Sequence, residues 1–164
     1  MRHGRWVAVV LFIALATLVG FRGVSGGGTS VIAVRDPWVR PAKAVQAAGT
    51  PQNALAAMNG GSNSAVYLTI TNTGDGADKL VGVQSSVAGA VEMHRMAITD
   101  NVATMRQVNV IEIPKGGEVR LDPNGYHLIL VNVRHDLNAG GNVDLTLTFE
   151  HAGPIQVSAQ VRDQ

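Results

Sequence analysis

The sequence predicts an all-β domain, a sandwich or barrel of short strands, and three observations carry that reading. From Ala65 onward apolar and polar residues alternate with a period of two. Turn-forming Gly, Pro, Asp and Asn recur between the alternating stretches. The composition agrees: 46% hydrophobic residues, 19 glycines and only 15% charged residues describe a compact β-rich chain rather than a disordered one. At 164 residues the chain is one domain with some excess, long enough to bury a core without covalent staples.

Taken in order, Val31-Ile32-Ala33-Val34 begins a strand that breaks at Asp36-Pro37 and resumes at Trp38-Val39-Arg40, with Trp38 a core residue. Residues 41–64 change character. They are alanine-rich, with Gly49, Pro51, Asn59, Gly60 and Gly61, and read as a long surface loop with short helical turns at 44–48 and 53–58. Met58 within it is a packing residue. Ala65–Asn72 alternates, with Val66, Leu68 and Ile70 on one face and Tyr67, Thr69 and Thr71 on the other. Thr73-Gly74-Asp75-Gly76 turns the chain into Lys79–Val83, and Ala90–His94 and Ala103–Val108 follow, the latter two joined across Asp100-Asn101. Pro114-Lys115-Gly116-Gly117 leads into Glu118–Leu121, and Asp122-Pro123-Asn124-Gly125 into Tyr126–Val133. Asn138-Ala139-Gly140-Gly141 precedes Val143–Phe149, and Gly153-Pro154 precedes Ile155–Val161.

The first 28 residues read as an export signal or N-terminal anchor, leaving 29–164 as the folded domain. Arg2, His3 and Arg5 form a basic head before an uncharged run of 16 residues, Trp6 to Phe21, closed by Arg22. That run is nearer a signal h-region than a membrane span of about 20 residues. Gly23, Ser25 and the following glycines offer a cleavage region, and an uncleaved anchor is the alternative. The net charge of +1 depends on the three arginines of this segment; the rest of the chain sets 10 basic residues against 12 acidic ones. With no basic run or aromatic ladder, nucleic acid is excluded as a partner class. Glycine-rich dinucleotide and phosphate loops, a Gly-x-Ser-x-Gly elbow and paired acidic motifs are all missing. So is cysteine, which removes disulfides, Cys-x-x-Cys chemistry and a lipid-attachment cysteine together.

The chemistry-bearing residues concentrate between Met93 and Ile129. Three of the four methionines after the initiator (Met93, Met96 and Met105) lie there with two of the five histidines, His94 and His127. Imidazole and thioether together suit a soft or borderline metal, and Cu(I) accepts both. The plain alternative is methionine filling core gaps and histidine decorating the surface. In a strand His94 and Met96 share a face while Met93 points the other way, and His127 shares its face with Ile129. The strand of Met105 pairs with that of His94, so His94, Met105 and His127 are able to meet at one end of a sandwich, with Met96 as a fourth member. His135 and His151 read as solvated loop histidines, and Tyr126 packs on the face opposite His127.

The spacing His94-x10-Met105-x21-His127-x-Ile129 closely resembles that of the PCu(A)C-type periplasmic copper chaperones, whose pattern ends in His-x-Met. Asp36-Pro37-Trp38-Val39-Arg40, Ala65–Ile70, Ile113–Gly117, Pro123–His127 and Leu145–Phe149 are similar to that family too, so the resemblance covers roughly residues 31–162. It implies a cupredoxin-like Greek-key β-sandwich, Cu(I) bound outside the membrane through His94, Met105 and His127, and delivery to a copper-accepting partner. Such a partner is a cytochrome oxidase subunit or another copper chaperone. The sequence departs from the pattern at Ile129, which cannot coordinate. That departure leaves a second reading open, a binding or structural sandwich whose metal site is lost or weakened. A blue-copper electron carrier needs a cysteine thiolate and is rejected. A metal-dependent enzyme lacks a carboxylate at an obvious general-base position, although Glu92 is near.

Overall fold

The computed structural model describes residues 28–44, 62–99 and 102–163. The segment read from sequence as an export signal, most of the expected long loop including Met58, and the expected Asp100-Asn101 turn lie outside them. Ten strands follow one another: β1 (Ile32–Val39), β2 (Ser64–Asn72), β3 (Asp78–Gln84), β4 (Ala90–Thr99), β5 (Val102–Val108), β6 (Ile111–Ile113), β7 (Glu118–Leu121), β8 (Tyr126–Val131), β9 (Asn142–Phe149) and β10 (Gly153–Val161). They are joined in the order β5-β4-β8-β7-β2-β1-β10-β9-β3-β6, with β8 also pairing β2. All the pairings are antiparallel except β1 with β10 and the single β7–β8 register point. The fold is all-β and cupredoxin-like, as the sequence reading expects.

One face of every strand except β5, which adds only the half-buried Val108, feeds a single core. Val66, Leu68 and Ile70 of β2 meet Leu128 and Leu130 of β8, Leu80 of β3, and Leu145, Leu147 and Phe149 of β9, all buried. Tyr67, on the opposite face of β2, is buried as well, because the Trp38 ring lies over it with centroids 4.5 Å apart. Trp38 itself is therefore half-buried rather than part of the core. β1 does not break at Asp36-Pro37. It runs through with a bulge between Arg35 and Trp38, where Asp36 takes a positive φ of 45° and Pro37 has no N–H to offer the ladder. At the Pro114–Gly117 turn, Gly116 sits at φ 61°, which the third position of a type II turn requires, and the Gly117 N–H closes it on the Pro114 carbonyl at 3.2 Å.

Asp78 fastens the end of the sandwich formed by β3 and the β9–β10 turn. Its side chain is buried and accepts hydrogen bonds from the Ser30 hydroxyl at 2.6 Å and the backbone N–H groups of Lys79, His151 and Ala152 at 2.7, 2.9 and 2.9 Å. Burial alone would raise its pKa; the four donors outweigh burial and lower it from 3.8 to about 2. A carboxyl depressed in the folded state stabilises the fold above its unfolded pKa and ceases to do so as pH falls through the folded one. Stability should therefore fall between about pH 4 and pH 2 by about 2 kcal/mol from this group. Urea unfolding midpoints of wild type and Asp78→Asn across that range check this: the variant should start less stable at pH 7 and show a shallower acid slope.

Candidate metal centre

The hairpin β4–β5 and strand β8 build the site. In the register, His94 lies opposite His127, Glu92 opposite Ile129, and Met96 opposite Met105. Directly paired residues share a face, and so do residues two apart, so all six side chains stand on the face turned away from the core. The other face of the same strands carries Met93, Leu128 and Leu130 into the core. The Asp122–Gly125 turn delivers His127 to this place. Asp122 accepts the Gly125 N–H through its carbonyl at 3.2 Å and the Asn124 N–H through its side chain at 2.9 Å. The Gly125 carbonyl in turn accepts the Met96 N–H at 2.9 Å, which locks β4 against the start of β8.

Hydrogen bonding then fixes what each ring presents. His127 Nδ1 lies 3.2 Å from the Gly125 carbonyl oxygen. A carbonyl only accepts, so Nδ1 carries the proton and Nε2 of the neutral ring is left with a lone pair. That lone pair faces the Met105 sulfur at 3.2 Å. Two electron-pair donors face each other here, an arrangement that a cation between them relieves. The His94 ring stands beside that of His127, with centroids 5.9 Å apart and planes tilted by 32°. Its Nε2 is 2.8 Å from a Glu92 carboxylate oxygen, while its Nδ1 is buried without a partner. A buried nitrogen with no hydrogen bond is uncommon in a folded protein, and Nδ1 is left with its lone pair uncommitted. Both histidines, the thioether of Met105 and the nearby Met96 thus fit a soft metal ion.

Exposure differs sharply across this group. His127 is 4% exposed although it stands on the outer face, whereas Met105, on the edge strand β5, is 53% exposed. The site is a surface patch with one accessible donor and not a cleft. A concavity of about 700 Å³ lies elsewhere, lined by Gln84, Asp144, Thr146, Gln156 and Ser158 among others. Among the described residues no three His, Cys, Asp or Glu side chains converge on a point.

Of the other residues singled out from sequence, Met93 is buried in the core, and His135 and His151 are exposed and stand apart from the site. His151 is nonetheless tied to Asp78, its ring nitrogen 3.4 Å from the carboxylate. Tyr126 pairs with Arg95 on the core-side face, with the guanidinium carbon 5.3 Å from the ring centre. Glu92 is the residue whose part sequence reasoning left unassigned. Its position two before His94 on a strand was the signal available, because that spacing puts both on one face.

Comparison with known proteins bears on the family and the fold. The family model "Putative lipoprotein LpqE-like", which describes the PCu(A)C family, matches residues 32–161. The chain belongs to that family. Among curated relatives, "Putative lipoprotein Lxx21020" of Leifsonia xyli subsp. xyli is 30% identical over 105 residues, 63% of each chain. This chain thus spans under two thirds of that relative's length. Among solved structures, the copper-bound PCuAC domain from PmoF2 is 26% identical with a TM-score of 0.59, the match covering 81% of this chain and 93% of that one. The Cu(I) form of DR1885 from Deinococcus radiodurans is 26% identical with a TM-score of 0.53, covering 79% and 78%. Against the PCu(A)C pattern, this member carries isoleucine where the closing His-x-Met has its methionine, and in the fold Ile129 is half-buried opposite Glu92.

Proposed function

We propose that this protein is an extracytoplasmic copper carrier that holds one Cu(I) through His94, His127, Met105 and Met96 and passes it to a copper-accepting protein. It catalyses no reaction. The observation that carries the reading is the 3.2 Å approach of the His127 Nε2 lone pair to the Met105 sulfur, with the His94 ring 5.9 Å from that of His127. Soft thioethers with imidazoles favour Cu(I) over Zn(II). The accessible thioether on an edge strand supports transfer, because an acceptor's ligand can reach the ion from that side before the buried histidine lets go. A cytochrome oxidase subunit or a further copper chaperone is the acceptor class we favour. The basic head and apolar run of residues 1–28 support a place outside the cytoplasmic membrane. With no cysteine in the sequence, any membrane attachment here runs through that apolar segment and not through a lipidated thiol.

Met96 stands in for the thioether that Ile129 lacks. It lies directly across the ladder from Met105 and two residues from His94 on the same face. Competition titration with a Cu(I) chelator under reducing conditions tests the set. Wild type should bind one equivalent, Met96→Leu should bind about tenfold more weakly, and Ile129→Met in the Met96→Leu background should restore the loss. Ile and Met are close in volume, so that change should cost under about 1.5 kcal/mol of fold stability. Affinity indifferent to Met96→Leu would remove Met96 from the site, and no Cu(I) binding by the wild type would leave the carrier reading without support.

A further inference from the structure

The contact between Glu92 and His94 assigns a role to a residue outside the donor set. We infer that Glu92 is a positioning residue: it accepts a hydrogen bond from the Nε2–H of His94, and so fixes the ring in the tautomer that leaves Nδ1 as the free donor. This rests on the copper-carrier reading for its purpose but not for its first measurement. A carboxylate only accepts, so the 2.8 Å contact requires the proton on Nε2. The neutral ring then has its lone pair on Nδ1, the atom that is buried and unpartnered. His127 is set the opposite way: its Nδ1–H goes to the Gly125 carbonyl, and Nε2 is the free donor. The two rings therefore present different nitrogens, each chosen by the acceptor behind it. Ring nitrogens of ligating histidines are commonly tied back in this manner, and loss of the outer partner costs roughly 10–100-fold in metal affinity.

Glu92 is placed to orient and not to ligate. The two nitrogens of an imidazole point away from each other, so an oxygen bonded to Nε2 lies on the far side of the ring from an ion on Nδ1. Its own fixing comes from the strand. Glu92 is two residues from His94 and directly opposite Ile129, whose apolar side chain offers the carboxylate no competing hydrogen bond.

Imidazole tautomers read by long-range proton–nitrogen NMR on the metal-free protein, followed by Cu(I) competition titration, test the inference on wild type, Glu92→Gln and Glu92→Ala. The Glu92 side chain is about one-third exposed on the outer face, and retention of the β-sheet circular dichroism spectrum and cooperative unfolding confirms that each variant is folded. Wild type should show His94 protonated on Nε2. Glu92→Gln should keep that tautomer, because its amide oxygen still accepts, and should hold Cu(I) within about threefold of wild type, well inside the range expected for loss of the partner. Glu92→Ala should lose the single tautomer and bind Cu(I) at least tenfold more weakly. An unchanged His94 tautomer in Glu92→Ala overturns the inference. So does an affinity loss in Glu92→Gln equal to that in Glu92→Ala, since that would make the charge, not the hydrogen bond, the active feature. A wild-type protein that shows the tautomer but binds no Cu(I) would refute the carrier reading alone.

Discussion

Replacing Met105 with leucine is expected to weaken Cu(I) binding by roughly a hundredfold, about 2.7 kcal/mol, while leaving the fold intact. Leucine keeps the volume and apolar character of methionine, and such swaps usually cost less than about 1.5 kcal/mol even in a core. Here the side chain is half-exposed on the edge strand, so the cost to stability should be smaller still. What leaves is the sulfur, whose lone pair faces His127 Nε2. Without it, His127, His94 and Met96 remain as two nitrogens and one sulfur, which hold Cu(I) with less soft character. The affinity is read by chelator competition, and the fold by the urea unfolding midpoint. Zinc binding should change far less than Cu(I) binding in the same variant, because zinc takes its donors from imidazole more readily than from thioether. Equal losses for both ions would mean that Met105 acts through packing.

The second large effect is structural. Leu128 stands between His127 and Ile129 but points into the core, where it is fully buried opposite Met93 and Val66. Truncation to alanine should destabilise the protein by about 2–5 kcal/mol, the range for removing a buried leucine and leaving a cavity. The urea midpoint should fall without a change in slope. Cu(I) should partly restore it, since a ligand that binds only the folded state stabilises that state by mass action. A loss under about 1 kcal/mol would mean that β8 is held by its ladder alone, a value below the range for a buried leucine.

Much of the architecture was legible in the alternation of apolar and polar residues, and the exceptions have identifiable causes. β6, Ile111–Ile113, was missed because three residues cannot display a period, though its pattern is buried-exposed-buried. β4 runs to Thr99, five residues past the sequence assignment, because beyond His94 it leaves the core. Ala97 and Ile98 are exposed, so no inward face marks the strand, and pairing with β5 holds it instead. β8 stops at Val131 because Asn132 turns at φ 55°. The spacing of His94, Met105 and His127, read with a period of two, put these side chains on a common face, and the register places them there. The tautomers were not legible, since they depend on the Gly125 carbonyl and Glu92, which no spacing rule identifies as acceptors.

X-ray absorption on the Cu(I)-loaded protein tests the central claim most directly, because it counts sulfur in the shell of the ion. The wild type should show imidazole nitrogen together with two sulfur neighbours, and Met105→Leu and Met96→Leu should each remove one of them. A shell of nitrogen and oxygen alone, or sulfur scattering unchanged in Met105→Leu, would contradict the assignment of this surface as the copper site.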